Sequence, residues 1–342
     1  MELELQHKMA AHCEDGVIST LLQYYGVEMS EPMIFGLSSG LFFAHMPFVK
    51  MGGMPVTAFR TWPGVFFKRI SKQLGIEIGT ERFLNQQHSM QAVDQKLAEG
   101  TPVGCVVGMY YLSYMPKEYR FHFNGHNICV CGKDEESDEY IISDPIVLDK
   151  TRLSAHYFQR ARFAKGGTYP VLGQMYWIKK MPEKLPDLRP LIISSILKNC
   201  DCMIGYPKFI NFAGTNAIRL LSSRIKSWEK KMNERQLALN IAQIVRMQEE
   251  IGTGGAGFRF LYGAFLQEAA KVTGIEELNQ FAMRITDIGD LWREFAAMAT
   301  RIVKKRKGVQ YTFDDVSAKL KEIADLETVF FQDLYKAVKA NA

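Results

Sequence analysis

The apolar pattern of the chain changes near residue 180, and this change constrains the fold more than any other feature. Before it, an unbroken apolar run of strand length occurs at 102–109, and largely apolar segments of strand length occur at 127–131, 140–143 and 173–180. Beyond about 190, apolar residues recur with helical spacing almost to the end of the chain. Strands grouped in one part of a chain and helices in another are typical of an α+β fold rather than of alternating βαβ units. The sequence therefore predicts α+β, with an antiparallel sheet in the first part and helices in the second.

A proline-rich segment marks the boundary between these parts. Residues 179–190 contain three prolines and several Lys and Arg side chains, which is typical of a linker. We therefore expect one domain at 1–182 and an all-helical domain at 191–342. The helices predicted in the first part are 14–25, 30–37, 66–74 and 89–99. Those predicted in the second part are 216–246, 258–273, 276–305 and 313–339.

Composition and charge exclude several functional classes. The 342 residues are 47% hydrophobic and 23% charged, with a net charge of +5. That charge is too small for a nucleic-acid partner, which needs a concentrated basic stripe. No apolar stretch approaches the ~20 residues of a membrane span, and the start MELEL has neither the basic nor the apolar region of a signal peptide. We therefore expect a cytoplasmic protein with no nucleic-acid partner and no membrane span.

The cysteine pattern predicts free thiols rather than disulfides or metal sites, because cytoplasmic thiols stay reduced. The six cysteines are Cys13, Cys105, Cys129, Cys131, Cys200 and Cys202. The two Cys-x-Cys pairs lack the two-residue gap usual in zinc sites, and one pair lies within a strand-like run. Buried structural thiols are therefore favoured over a zinc site, and we predict no metal and no cofactor.

Three short segments fit one cysteine-nucleophile mechanism. Cys13 stands directly before a predicted helix, where the positive end of the helix dipole and unpaired N–H groups lower the pKa of a thiol. His126 opens a predicted strand, and Asp144 follows the next strand. In an antiparallel pair, the start of one strand lies beside the end of the next. Asp144 can therefore orient the His126 ring, and His126 can take the Cys13 proton.

Each of these segments alone also fits a structural role. A lone cysteine is often a buried thiol, and a Gly-His pair before a strand is often a surface residue. Their order along the chain favours the catalytic interpretation. His122, four residues before His126, is the alternative base.

This order resembles that of the papain-like superfamily, especially the bacteriocin-processing cysteine peptidases. The resemblance implies that a Gln a few residues before the nucleophile helps to form the oxyanion hole. Here Gln6 lies seven residues before Cys13, one more than usual, and His7 occupies the expected position. The backbone N–H of Cys13 is the other predicted oxyanion donor.

Longer segments are similar to the butirosin biosynthesis protein H family. They are HCE at 12–14, LLQYYG at 21–26, SEPMIFGLSSG at 30–40, GH at 125–126, DP at 144–145, GTGGAGFRFLY at 252–262 and FLQEA at 265–269. The resemblance implies a papain-like N-terminal domain followed by a helical C-terminal domain. It also implies an acyltransferase of secondary metabolite biosynthesis, which moves an acyl group from an acyl carrier protein thioester to an amine through an acyl-cysteine.

Two further segments contain candidate substrate-binding residues. Gly254 and Gly255 belong to a glycine-rich run before a helix, where backbone N–H groups can hold an anion, and Arg259 can add a charge. The run lacks the Lys-Ser/Thr of a P-loop. The alternatives are a tight turn between helices and a buried pair of Arg259 with Glu268. Trp62 lies in an aromatic segment that can line an acyl or amine pocket, or simply form core and rim.

The expected function is therefore acyl transfer through acyl-Cys13. The donor is an acyl thioester on a carrier protein or coenzyme A, and the acceptor is a small amine. Basic runs at 179–184 and 304–307 are either solvated or suited to an acidic acyl carrier protein. A cysteine peptidase or amidohydrolase uses the same residues with water as acceptor, and a non-catalytic binding module can keep the same fold. The oligomeric state stays open.

Overall fold

The computed structural model describes residues 1–51, 53–166, 170–207, 209–305, 308 and 311–342. The chain divides into two compact units. The first unit comprises 1–34 and 63–186, and the second comprises 35–62 and 187–342. The domain ranges predicted from the sequence remain predictions. The units differ from those ranges by grouping 35–62 with the later helices.

The helices and strands follow one another in this order: α1 (Cys13–Tyr24), α2 (Glu31–Leu37), β1 (Leu41–Met51), β2 (Met54–Arg60), α3 (Val65–Leu74), β3 (Glu77–Glu81), α4 (Gln86–Ala98), β4 (Val103–Gly108), β5 (Asn124–Asp134), β6 (Glu139–Ser143), β7 (Thr151–Ser154), α5 (Ala155–Arg162), β8 (Met175–Lys180), α6 (Leu188–Ile204), α7 (Gly214–Ile225), α8 (Trp228–Lys231), α9 (Glu234–Glu249), α10 (Arg259–Thr273), α11 (Leu278–Val303) and α12 (Phe313–Ala340).

An antiparallel sheet forms the centre of the first unit. Its strand order is β3-β8-β4-β5-β6-β7. Cys105 of β4 and Ile128 of β5 belong to a buried core that also includes Val93 of α4 and Phe158 of α5. Helix α1 packs against β4, β5 and α3. Because side chains alternate along a strand, Asn127 points away from the core residue Ile128 and towards α1.

The second unit contains the antiparallel β1-β2 hairpin and helices α6 to α12. Helix α12 packs against α6, α7 and α11. The single helix predicted at 216–246 is wrong, because α7 ends at Ile225 and α9 begins at Glu234. Asn233 starts α9 with a capping box that it forms with Gln236, and this motif favours a helix start at that point.

The predicted α+β class is confirmed, with an antiparallel sheet in the N-terminal region and helices in the C-terminal region. The sequence pattern did not predict β7 and α5, which are short. The backbone N–H of Tyr157 donates to the Ser154 hydroxyl, so Ser154 caps α5. In the described part of the chain, no helix has the length and apolar character needed to cross a membrane.

Candidate active site

Cys13 is the first residue of α1 and is partly buried. The backbone N–H groups of Ala11 and His12 donate to the Glu31 carboxylate at 3.1 and 2.5 Å. These bonds fix the segment that leads into the helix. The first backbone N–H groups of a helix have no partner within it, so Cys13 lies where a helix offers donors and a positive dipole end.

His126 and Asp144 form a buried pair beside Cys13. The Nε2 atom of His126 lies 2.8 Å from the Asp144 Oδ2 atom, and Cys13 is close enough to the same ring to influence its pKa. Cys129 of β5 pairs with Ser143 of β6, which brings the start of β5 close to the end of β6. The structure therefore brings together the three residues that the sequence predicted as a catalytic group.

The charges in this group favour an imidazolium. Burial by itself would lower the pKa of His126, but the negative charges of Asp144 and Cys13, with hydrogen bonds to both, raise this pKa to about 10. Burial would likewise raise the pKa of Asp144, but the His126 charge and hydrogen bonds from neighbouring donors hold it below its ordinary value. At neutral pH the ring is therefore protonated and the carboxylate is ionised.

Tyr114 belongs to the same network and was not predicted to do so. Its hydroxyl donates to the Asp144 Oδ2 atom at 2.6 Å, and the Ile146 backbone N–H donates to Oδ1 at 3.1 Å. Burial and the nearby Asp144 charge raise the pKa of Tyr114 well above its ordinary value, so the hydroxyl remains a donor. Nothing in the local sequence around Tyr114 indicates this bond.

Asn127 is a second residue of the site that the sequence pattern did not predict. Its side chain is 5% exposed, and its Nδ2 atom lies 3.9 Å from the Cys13 sulfur. The Tyr176 hydroxyl donates to its Oδ1 atom at 2.9 Å. The signal available in the sequence was its position directly after His126.

Gln6, the predicted oxyanion residue, lies away from Cys13. Gln6 is exposed, and its Oε1 atom accepts a hydrogen bond from Gln23 at 2.5 Å. Gln23 lies near the opposite end of α1, about 15 Å from Cys13 at roughly 1.5 Å per residue. His7, at the position expected for the family Gln, instead contacts the Ser143 hydroxyl at 2.8 Å. We therefore do not assign Gln6 to the site.

The alternative base, His122, is exposed on the surface of the first unit. Its ring stacks on Tyr110 with the centroids 4.3 Å apart and the planes 10° apart. His126, rather than His122, is the histidine that pairs with Asp144.

Arg259, predicted to bind substrate, forms a buried ion pair instead. Its guanidinium donates to both carboxylate oxygens of Glu327, at 2.9 and 3.0 Å, and to the Gly257 carbonyl at 2.8 Å. Both side chains of the ion pair are 0% exposed. The structure thus supports the buried-pair alternative, with Glu327 rather than Glu268 as the partner.

The glycine-rich turn before Arg259 is explained by its backbone conformation. Gly254 and Gly255 have φ values of 67° and 91°, in the region that favours glycine. The Gly255 N–H donates to the Thr253 hydroxyl at 3.0 Å, and the Ala256 N–H contacts the Glu249 carboxylate at 3.3 Å. Oxygens of the chain itself engage these N–H groups, which favours the tight-turn alternative over an anion site.

The remaining predictions concern Trp62 and the two basic runs. Trp62 follows β2 in the second unit and is 67% exposed, and its substrate-binding role remains a prediction. In the basic run at 179–184 the lysines are exposed. In the run at 304–307, Arg306 and Lys307 lie outside the described residues.

The other cysteines differ from Cys13 in their surroundings. Cys105, Cys129, Cys131 and Cys200 are buried, whereas Cys202 is partly buried like Cys13. Burial raises the pKa of all four buried thiols, that of Cys131 to about 11. Over the residues that the structure describes, no group of three or more His, Cys, Asp and Glu side chains is arranged to hold a metal ion.

Two family models match the chain. Residues 12–145 match "Butirosin biosynthesis protein H, N-terminal", and residues 156–334 match "Domain of unknown function (DUF4872)". The first match contains Cys13, His126 and Asp144. No curated protein matches the chain. The chain therefore belongs to the butirosin biosynthesis protein H-like family and contains the DUF4872 domain at 156–334.

Proposed function

We propose that the protein is a cysteine-dependent acyltransferase with Cys13 as nucleophile, His126 as acid and base, and Asp144 as the residue that orients the ring. One observation carries the proposal: a partly buried thiol at a helix start interacts electrostatically with an imidazole whose Nε2 lies 2.8 Å from a buried carboxylate. The match to the butirosin biosynthesis protein H family supports a role in biosynthesis. A helix carrying the cysteine, followed by a sheet carrying the histidine and aspartate, supports a papain-like fold for the first unit.

In the first half-reaction the acyl group moves onto Cys13. The imidazolium of His126 lies beside the sulfur and stabilises negative charge on it. The thiolate attacks the carbonyl carbon of an acyl thioester, and the carbonyl electron pair moves onto oxygen. When this pair returns, the carbon–sulfur bond to the donor breaks. His126 gives its proton to the departing thiolate, which leaves acyl-Cys13 and a neutral imidazole.

In the second half-reaction the neutral imidazole acts as a base. Acylation removes the sulfur charge, which is one of the two charges that raise the pKa of His126. The ring therefore holds a proton less tightly than in the free enzyme, which suits it to accept one from an amine. The amine nitrogen attacks the acyl carbon, the bond to Cys13 breaks, and an amide leaves. With water as the acceptor, the same steps release a carboxylic acid, which is the hydrolase alternative.

We further propose an acyl carrier protein or coenzyme A as the donor. Either donor carries its acyl group as a thioester. The Cys13 thiolate can cleave this thioester because the leaving group is a thiolate of similar basicity. The exposed lysines at 179–184 suit an acidic carrier protein.

Intact mass spectrometry after mixing with a panel of acyl-coenzyme A thioesters tests the proposal. We expect one acyl group on the wild-type chain and none on Cys13→Ala, and we expect the adduct to decay faster with an accepted amine than in buffer. Rapid decay that no amine changes would support the hydrolase. Absence of an adduct with every thioester would contradict acyl transfer and favour a binding module.

A further inference from the structure

Acyl transfer forms an oxyanion that hydrogen-bond donors stabilise. Gln6 does not serve as a donor beside Cys13, because it is hydrogen-bonded to Gln23 near the far end of α1. We infer that the side-chain amide of Asn127 supplies this donor, an inference that rests on the proposed acyl transfer. Asn127 is buried, and its Nδ2 atom lies 3.9 Å from the sulfur of Cys13.

Two hydrogen bonds set the orientation of the Asn127 amide. The Nδ2 atom donates to the Gly125 carbonyl at 3.2 Å, and a carbonyl can only accept, so the NH₂ group must face that side. The Tyr176 hydroxyl donates to Oδ1 at 2.9 Å. Burial raises the pKa of Tyr176 well above its ordinary value, so the hydroxyl stays protonated and remains a donor.

The ring of Tyr176 is itself held in place. A Cβ atom at Gly104 would come within 2.2 Å of this ring, so glycine leaves the space that the ring fills. The Phe67 ring packs against it with the centroids 4.8 Å apart. The support for the Asn127 amide is therefore built into the sheet and α3 rather than into a loop.

The distance to the sulfur suits an oxyanion donor. An amide NH₂ has two hydrogens; one is donated to the Gly125 carbonyl, and the other points towards Cys13, where Nδ2 donates to the sulfur at 3.9 Å. The oxyanion lies two bonds from the sulfur, and a donor must lie about 2.7–3.1 Å from it. A nitrogen 3.9 Å from the sulfur can meet that distance once the carbonyl carbon is bonded to Cys13. The backbone N–H of Cys13, at the helix start, supplies a second donor.

Asn127 exchanges no proton in this role. As the thiolate bonds to the carbonyl carbon, the carbonyl electron pair moves to oxygen. The hydrogen bond that the Asn127 N–H donates to that oxygen then strengthens. When the pair returns, the bond to the donor sulfur breaks and the contact weakens. The amide therefore stabilises the transition state of acylation, whereas in reactions of Cys13 that form no oxyanion it offers only its long 3.9 Å hydrogen bond to the sulfur.

The test compares the rates of two reactions of Cys13, acylation and alkylation, in the same protein variant. Iodoacetamide alkylates a thiolate by displacing iodide from a saturated carbon, so no oxyanion forms, whereas an acyl-coenzyme A thioester requires one. We expect Asn127→Ala to slow acylation of Cys13 by about 10²–10³-fold and to change the alkylation rate far less, because the amide's 3.9 Å hydrogen bond to the sulfur is long. His126→Ala should slow both reactions.

Asn124→Ala is the matched control, since Asn124 is a buried asparagine of the same strand whose Nδ2 donates to the Ala164 carbonyl at 3.0 Å. We expect this variant to keep both rates. Tyr176→Phe keeps the Asn127 amide but removes the bond to its Oδ1, so acylation should fall by less than in Asn127→Ala, again with little change in alkylation. It serves as the second variant should Asn127→Ala not fold.

Acylation of Asn127→Ala at the wild-type rate, or an equal loss of acylation and alkylation, would overturn the role of Asn127 while leaving acyl transfer intact. A wild-type chain that is alkylated at Cys13 but accepts no acyl group would overturn the proposed function, and this inference with it.

Discussion

Replacing Asp144 with Asn should lower the pKa of His126 while preserving the shape of the site. The rise of this pKa from an ordinary 6.5 to about 10 corresponds to about 5 kcal/mol in favour of the protonated ring, at about 1.4 kcal/mol per unit. After the opposing effect of burial, the Asp144 charge is the largest contributor to this rise, ahead of Cys13. If Asp144 supplies at least half of it, Asp144→Asn lowers the pKa of His126 by roughly 2 units.

An NMR titration of the His126 ring signals, assigned with His126→Gln, measures this change directly. The stability of the protein supplies a second measurement. A raised histidine pKa contributes stability that is complete below the unfolded value near 6.5 and is lost as the pH rises towards about 10. In Asp144→Asn the loss of stability between those pH values should be much smaller. Urea denaturation at a series of pH values measures it.

Two outcomes would refute this reasoning. A pKa of His126 that moves by less than about half a unit in Asp144→Asn would show that Asp144 does not govern the ring charge. A wild-type His126 that titrates near its ordinary value would show that the charged pair does not exist in solution. Asp134→Asn is a suitable control, because Asp134 forms an exposed ion pair with Arg152.

Three further predictions follow from buried groups. Tyr114→Phe removes the 2.6 Å bond to Asp144 and should slow acylation about tenfold in stopped-flow measurements, whereas an unchanged rate would assign that bond no role. The pKa of His45 is lowered by burial to about 4, so the wild type should lose up to about 3 kcal/mol of stability as the pH falls from 6.5 to 4. Urea denaturation of His45→Gln should not show this loss, and an equal loss in both proteins would contradict it. Glu327→Ala leaves a buried guanidinium unpaired and should cost about 3–5 kcal/mol in the same assay, while Glu234→Ala, in an exposed pair, should change nothing measurable.

Two parts of the candidate catalytic group could be located from the sequence because each follows from a local rule. A cysteine before an apolar helical stripe lies at a helix N-terminus, as Cys13 does. Neighbouring antiparallel strands bring the start of one beside the end of the other, as they bring His126 beside Asp144. Neither inference needs knowledge of how distant segments pack. The roles of these residues in catalysis remain a proposal.

Residues that support the site could not be found in this way. Tyr114 and Tyr176 reach Asp144 and Asn127 through contacts between segments 30 and 49 residues apart in sequence. Gln6 was expected near Cys13 from spacing in related proteins, but one extra residue places His7 at that position instead. Tertiary packing decides such contacts, and local pattern has no information about it.

In the second unit, too, local sequence patterns predict helices but not the contacts between distant segments. Helical periodicity predicted α10, α11 and α12 closely, yet nothing local shows that Arg259 is buried or that its partner lies 68 residues further on. The grouping of 35–62 with the later helices is also a property of long-range packing. A charged residue one turn into a helix therefore suggested a ligand site where the structure has a structural ion pair.

The most direct test of acyl transfer through Cys13 is a single-turnover assay of thiol release from an acyl-coenzyme A thioester that the protein accepts. We expect the wild-type chain to release one equivalent of coenzyme A in a rapid burst, with the acyl group recovered on the Cys13 peptide. Cys13→Ala should give no burst. A burst that survives in Cys13→Ala, or an acyl group recovered on another residue, would contradict the mechanism.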